Sequence, residues 1–349
     1  MAKAERPLAV LGATGYTGSL VCAEARALGL RVRLLGRRRE ALEEQAQSGD
    51  ELQVTEATDH ASLVEALTGA FAVVSTAGPF LEHGFTTVDA ALAAGVHYID
   101  SSTEQAYSRQ VYERFGKRAA DRELVLLTAF ANAPGDLATG LAVDGLDGPL
   151  DEVVVANDQS GLALSRGSRL TLAEVMEQPQ AAWEDGRLIP SRFGATTRRV
   201  HFPSGERTVV EWSGPEPLTV PRHADVRRVR AYVRAPKAAA LAGRFSNRLA
   251  PLVRLSTKVG GVGPSAEKRR RATFAVVAEA RGLRGGRRAT LLGRDIYGTA
   301  ALLLARAAEA VGEGEVRGVG ALAPAEAFEP QQFLAKIAPL VQVESIVDF

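Results

Sequence analysis

The chain has 349 residues, 46% of them hydrophobic and 24% charged, with a formal net charge of +1, an ordinary globular composition with room for two packed domains. That balance excludes the footprint of a nucleic-acid-binding domain, so the runs Lys268 to Arg271 and Arg227-Arg228 read as solvated faces. The single cysteine, Cys22, excludes an internal disulfide and suits a reducing compartment.

Residues Leu8 to Gly18 read LAVLGATGYTG. A short strand, Leu8 to Leu11, breaks into Gly12, Gly15 and Gly18 and runs on into an Ala-rich helix, Gly18 to Leu28. Without side chains, these glycines permit a tight strand-to-helix turn and bring backbone N–H groups and a helix N-terminus up to a pyrophosphate. The spacing therefore predicts a dinucleotide site built from Gly12, Ala13, Thr14, Gly15, Tyr16, Thr17 and Gly18.

Further strands are expected at Arg31 to Leu35, Gln53 to Glu56, Ala72 to Ser75, His97 to Asp100 and Leu124 to Thr128. Helices are expected between them at Glu40 to Gln47, Ala61 to Thr68, Phe85 to Ala94 and Glu104 to Asp121. This alternation predicts an α/β, Rossmann-type doubly wound parallel sheet over about residues 1–130. Its second strand ends at Leu35-Gly36-Arg37-Arg38, where an NAD-preferring site places an acid on the ribose 2′-hydroxyl. A carboxylate there would repel a 2′-phosphate, whereas arginine offers it a planar, permanent charge. Arg37 first and Arg38 second are the expected contacts, and the cofactor is read as NADP.

The fourth strand runs into Ser75-Thr76-Ala77-Gly78-Pro79-Phe80, at the sheet edge where open parallel sheets bind ligands. Backbone around Ala77 and Gly78 is expected close to the cofactor, with Pro79 stiffening the turn and Phe80 as an apolar wall. Asp100 and Glu104, after the fifth strand, are candidate proton carriers or ligand anchors. Asp100 can equally serve as a loop-fixing acceptor, and Glu104 as a first-turn residue favoured by the helix dipole. The histidines, at 60, 83, 97, 201 and 223, are dispersed, which speaks against a metal site. His83, just past the Gly-Pro-Phe turn, is the one carried as a candidate acid.

Phe130 to Asp136, with its Pro134-Gly135 pair, reads as a crossing into a second domain, and a helix is expected to begin near Asp136. From Asp151 on, strands at Glu152 to Ala156, Arg207 to Glu211, Val226 to Val233 and Thr273 to Ala280, with a hairpin through Gly282 to Gly286 into Arg288 to Leu292, predict an α+β domain on a mixed sheet, about residues 131–317. A helix is expected at Thr299 to Val311, and the C-terminal segment, about 318–349, is expected to pack back on the first domain. Thr299 to Val311 is shorter than the roughly 20 residues of a membrane span and carries Arg306 and Glu309. The apolar run after Pro7 is too short for a secretory signal. The expectation is a cytoplasmic protein without membrane partners.

Two mechanisms are disfavoured. No Tyr has a Lys four residues later, as a short-chain dehydrogenase pair requires; Tyr112 with Lys117 and Tyr232 with Lys237 both miss by one. Thioester chemistry needs a thiolate in the substrate site, and Cys22 sits one helical turn past the cofactor loop.

The GATGYTG run, Gly36-Arg37, Ala77-Gly78-Pro79-Phe80 followed by Gly84, and His97-Tyr98-Ile99-Asp100 together resemble the saccharopine dehydrogenase-like reductases, trans-acting enoyl reductases included. The resemblance covers residues 8–104 and extends more loosely to Asp136, to Asp295-Ile296-Tyr297-Gly298-Thr299-Ala300 and to Pro324 to Phe328. It implies a Rossmann domain, an inserted α+β domain that shapes the substrate pocket and can form a homodimer, and no covalent intermediate. Two stretches depart from the family pattern. Asp100-Ser101-Ser102-Thr103-Glu104 lacks the glycine of Asp-Thr-Thr-Gly-Glu, and Ala129 to Asp136 replaces a Gly-Phe-Asp run followed by Pro-Ser-Asp.

The expected activity is NADPH-dependent reduction of a polarised double bond in a small molecule, conjugated C=C first and C=N second. Asp100, Glu104, His83 and Tyr297 are the candidate proton donors, Tyr297 because it opens the late helix in the resembling stretch. The rivals are a C–N oxidoreductase clamping carboxylates through Arg166, Arg169 and Arg192, and a non-catalytic NADP-binding sensor or scaffold.

Overall fold

The computed structural model describes residues 6–146, 148–235, 253, 255 and 263–349 and divides into two compact units. The first comprises Met1–Ser102, Tyr107–Ala131 and Tyr297–Leu322; the second comprises Thr103–Ala106, Asn132–Ile296 and Ala323–Phe349.

The first unit is built on a parallel sheet. Its strands are β1 (Leu8–Leu11), β2 (Val32–Gly36), β3 (Glu51–Val54), β4 (Ala72–Ser75), β5 (His97–Asp100), β6 (Val125–Leu127) and β15 (Gly320–Ala321), in the order β15-β6-β5-β4-β1-β2-β3. Every residue of β1, β2 and β4 is buried, as expected where helices cover both faces, and β1 is apolar throughout. The crossovers are α1 (Tyr16–Ala27), α2 (Arg39–Gln45), α3 (His60–Leu67), α4 (Phe80–Ala94) and α5 (Gln105–Ala120). Local chemistry sets their ends: the Asp59 carboxylate accepts from Ser62 N–H at 3.0 Å to cap α3, and Gly95, at φ +68°, terminates α4. β1 pairs with β2 on one side and β4 on the other, so strand order reverses there and opens a crevice at the C-terminal ends of β1 and β4.

The second unit carries a mixed sheet. In chain order it contains α6 (Ala133–Val143), β7 (Leu150–Ser160), α7 (Arg166–Glu177), the hairpin β8 (Gln180–Glu184) and β9 (Arg187–Ser191), β10 (Thr197–Phe202), β11 (Gly205–Glu211), α8 (Glu216–Thr219), β12 (Arg228–Arg234), α9 (Ala266–Arg271), β13 (Thr273–Gly282) and β14 (Gly285–Arg294). After α10 (Ile296–Glu313) and β15, it resumes with α11 (Pro324–Ala327), α12 (Pro330–Lys336) and β16 (Val341–Asp348). The main path is β10-β11-β12-β7-β13-β14-β16, with β7 and β12 parallel and the other neighbours antiparallel. Helix α6 packs on β7, β13 and β14, which explains why nine of its eleven residues are buried.

Three expectations are corrected. The tail does not return to the first unit as a block. Tyr297–Leu322 joins that unit, with β15 extending its sheet beside β6, while β16 pairs along the whole of β14, exchanging hydrogen bonds from Gly286 and Phe349 at one end to Arg294 and Leu340 at the other. Helix α4 begins at Phe80 rather than Phe85, because a helix tolerates proline immediately ahead of its first turn. Helix α6 begins at Ala133, so Asp136 lies inside the helix and its carboxylate serves tertiary partners instead of a cap.

Candidate functional site

The glycine turn has the shape the spacing requires. Gly12 sits at φ +81°, a left-handed conformation that costs a side-chain-bearing residue, and its N–H donates to Leu35 carbonyl at 3.0 Å. A Cβ on Gly18 would stand 2.1 Å from the Gly12 carbonyl oxygen, and one on Gly15 would stand 3.1 Å from it. The first turn of α1 is thereby pressed against the end of β1. Gly15, the N-cap, supplies no side chain to the helix N-terminus, so the orphan N–H groups there remain available to an anion. Ala13 is buried under the turn, while Thr14 and Thr17 are partly exposed. Tyr16 packs its ring edge-on to Tyr297, centroids 5.0 Å apart.

Thr76 is a contributor that sequence reasoning passed over. Its hydroxyl donates to the Leu11 carbonyl at 3.0 Å, and its Oγ1 would be 2.9 Å from a Cβ on Gly12. It ties the β4 loop to the glycine turn. Ala77, Gly78 and Pro79 are at least partly exposed on that loop, as expected of backbone that borders a ligand. Phe80 does not form the expected wall: it is 3% exposed and turned inward onto Tyr107, because the early start of α4 places it on the core-facing side. At the end of β2, Arg37 and Arg38 are exposed, and neither takes an ion pair among the described residues. Their charge is thus unspent, and the carboxylate that would favour a 2′-hydroxyl is replaced by it. An uncapped helix N-terminus, three glycines whose missing Cβ atoms leave the turn tight, and exposed guanidinium groups nearby fit the phosphates of a dinucleotide.

The candidate proton carriers are placed differently. Asp100 is fully buried, and its Oδ1 accepts from Ser102 N–H and Ala129 N–H, each at 2.9 Å, so it holds the ends of β5 and β6 together. Burial pushes its carboxyl above the usual carboxylate range, against those hydrogen bonds. Ser102 and Ser108 both meet Thr128 at 3.2 Å, completing a buried hydroxyl cluster. Glu104 falls in the second unit's segment Thr103–Ala106, is 1% exposed and accepts from Thr103 N–H at 2.8 Å. His83 is partly exposed on α4, its Nε2 3.6 Å from the Glu82 carboxylate. Tyr297 is 8% exposed and is the one of the four whose ring meets the glycine turn. Burial pushes the Cys22 thiol up to about 12, which keeps it protonated at neutral pH.

The second unit holds its own titratable cluster. The Asp136 carboxylate meets His223 Nε2 at 2.9 Å and accepts from Ala325 N–H at 2.8 Å. Burial opposes ionisation of both members, but their mutual attraction wins: Asp136 is held below the usual carboxylate range and His223 above the usual imidazole range. Glu216 is buried between Gly135 and Gly214, where a Cβ would stand 2.2 and 2.1 Å from its carboxylate oxygens. Burial, with help from the Asp136 charge, pushes it up to about 8. Among the described residues no group of acids, histidines or cysteines suits a metal ion, and no helix is long and apolar enough to cross a membrane.

Residues 5–117 match the NmrA-like family. The chain is 29% identical over 213 residues to a trans-acting enoyl reductase of Mycobacterium ulcerans (strain Agy99), covering 57% of this chain and 51% of that protein. It is 28% identical over 216 residues to a trans-acting enoyl reductase of Mycobacterium tuberculosis (strain ATCC 25618 / H37Rv), covering 57% and 52%. The chain spans about half the length of the curated relatives it matches. Its fold matches that of apo histidine-tagged saccharopine dehydrogenase (L-Glu forming) from Saccharomyces cerevisiae, with a TM-score of 0.62 over 99% of this chain and 100% of that one, at 12% identity. The resemblance carried by the glycine run and the strand ends therefore holds: residues 5–117 are similar to the NmrA-like family, the matched relatives are trans-acting enoyl reductases, and the fold is that of saccharopine dehydrogenase.

Proposed function

We propose that the protein is an NADPH-dependent reductase that reduces a polarised, conjugated C=C bond of an acyl-type substrate. The observation that carries this reading is the pairing of an uncapped glycine turn at the strand-order reversal with two exposed arginines at the end of β2 that take no ion pair among the described residues, in a chain whose curated relatives are trans-acting enoyl reductases.

The first turn of α1 and the backbone of Gly12 to Gly18 would hold the pyrophosphate, and Arg37 with Arg38 the 2′-phosphate. When bound, the cofactor supplies a hydride. Thr76 keeps the β4 loop and the glycine turn in register, and Asp100 fixes the ends of β5 and β6 through backbone N–H groups. In this reading Asp100 is a positioning residue. Tyr297 is assigned the proton, on the ground that its ring packs against Tyr16 of the turn. A homodimer through the second unit and a cytoplasmic location remain part of the reading.

The test is NADPH oxidation by the purified protein with a panel of enoyl thioesters and cyclic imines. Turnover of an enoyl substrate is expected. Tight NADPH binding with no turnover on any panel member would replace the reductase with a sensor, and turnover confined to imines would move the acceptor to C=N. Tyr297→Phe is expected to lower kcat by about 10²-fold or more with cofactor affinity kept; an unchanged kcat removes Tyr297 from the scheme.

A further inference from the structure

Arg166 and Arg192 are exposed, whereas Arg169 is half-buried in the second turn of α7. Its Nη1 donates to the Leu164 carbonyl at 3.2 Å. Its Nε and Nη2 are shielded from water and meet no acceptor among the described residues. Those two nitrogens form one edge of the guanidinium, the edge that donates two parallel hydrogen bonds to a carboxylate or phosphate. Unmade hydrogen bonds from a buried charged group are unfavourable, so this edge favours any oxyanion that reaches it.

Helix α7 is lightly held. Among its described side chains only Ala173 is buried, so a small displacement of the helix breaks little packing. Leu172, three residues beyond Arg169 and on the same side of the helix, is 39% exposed, and Leu162, just ahead of the helix, is 37% exposed. A cationic fork and an exposed leucine at this spacing match a molecule with an anionic head and an alkyl body.

We propose that α7 binds an amphipathic acyl compound, its terminal oxyanion seated on the Nε–Nη2 edge of Arg169 and its alkyl portion lying along Leu172. This deepens the reductase reading by naming an oxyanion-bearing acyl chain as the substrate class, and it rests on that reading only for the assignment as substrate.

Binding of octanoate, octyl phosphate and octanol to the full chain, measured by titration calorimetry beside a separate NADPH titration, tests it. At least one of the two anions is expected to bind about tenfold or more tighter than octanol. The tighter of the two distinguishes a carboxylate from a phosphate source. Arg169→Gln is expected to erase the preference, Arg169→Lys to retain part of it by charge without the fork, and Arg166→Gln to leave it intact. Equal affinity for octanol and the anions, no binding of any probe to the unmodified chain, or a preference that survives Arg169→Gln overturns the proposal. The comparison of probes on the unmodified chain decides it even where a variant fails to fold. NADPH binding with no anion preference overturns this inference alone, and failure to bind NADPH overturns the reductase reading.

Discussion

At the residue scale, the proposed preference for NADPH rests on two side chains, Arg37 and Arg38. Arg37→Asp places a carboxylate at the end of β2, where it would repel a 2′-phosphate, and is expected to weaken NADPH binding by about 10- to 100-fold while leaving NADH nearly unchanged. Fluorescence titration with both cofactors reads this directly, and equal losses for the two would assign Arg37 to the solvated surface. Gly18→Ala drives a methyl into the Gly12 carbonyl oxygen, 2.1 Å away, and α1 must move to relieve it. A loss of about 1–3 kcal/mol in urea unfolding, with weaker binding of both cofactors, is expected. The tight turn at Gly18 and the exposed charge at Arg37 were legible in the sequence because they follow from covalent structure: the lack of a Cβ, or a fixed charge. The direction of Phe80 was not, because a side chain at a helix start turns toward whichever packed neighbour receives it, here Tyr107; for Asp100 the sequence offered a loop-fixing acceptor beside a proton carrier, and the structure shows the bond to the Ala129 N–H.

At the element scale, α6 shows how burial reassigns a polar residue. Asp136 suggested a cap, yet α6 begins earlier and the carboxylate spans to His223 and the start of α11. Removing one partner from a buried pair leaves the other uncompensated, so Asp136→Ala is expected to cost about 3–5 kcal/mol at neutral pH, read by urea unfolding. Asp136 is held below the ordinary carboxylate value, so its contribution is present above that value and is lost as pH falls through the lowered one. Glu216 has the opposite sign. Its folded value, about 8, stands above the ordinary 4.5, so its contribution is complete below about 4.5 and is lost as pH rises toward 8. Glu216→Gln keeps the shape without the ionisation. It is expected to lose less stability than the unmodified chain over that window, the difference growing by about 1.4 kcal/mol per pH unit at most. Parallel pH profiles for the two proteins would show that Glu216 ionises freely.

At the scale of the whole molecule, the first unit is not a contiguous piece of chain. Its sheet takes β15, and its packing takes α10, whose Gly312 lies against Phe71 at a distance where a Cβ would stand 2.9 Å from the ring. A fragment ending at residue 131 therefore lacks an edge strand and a long buried helix. It is expected to melt without a cooperative transition in circular dichroism, whereas the full chain unfolds sharply. A sharp transition in the fragment would make α10 and β15 dispensable. The alternation of strand and helix in the first unit could be read because parallel strands buried on both faces are mostly apolar and each crossover is local in sequence. The course of the tail could not, because β14 and β16 are separated by α10, β15 and two short helices, and their pairing is a contact between distant residues.

By itself the sequence determined the parallel sheet, the turn at Gly12, Gly15 and Gly18, and the basic end of β2, since each depends on near neighbours and on chemistry intrinsic to the residue type. Only the tertiary structure decided that Asp100 braces two strands, that Tyr297 meets Tyr16, that one edge of Arg169 finds no acceptor among the described residues and that β16 pairs with β14 in the second sheet. Those features depend on which distant groups satisfy, or fail to satisfy, a buried polar atom or an open strand edge, and that is settled only when the chain packs.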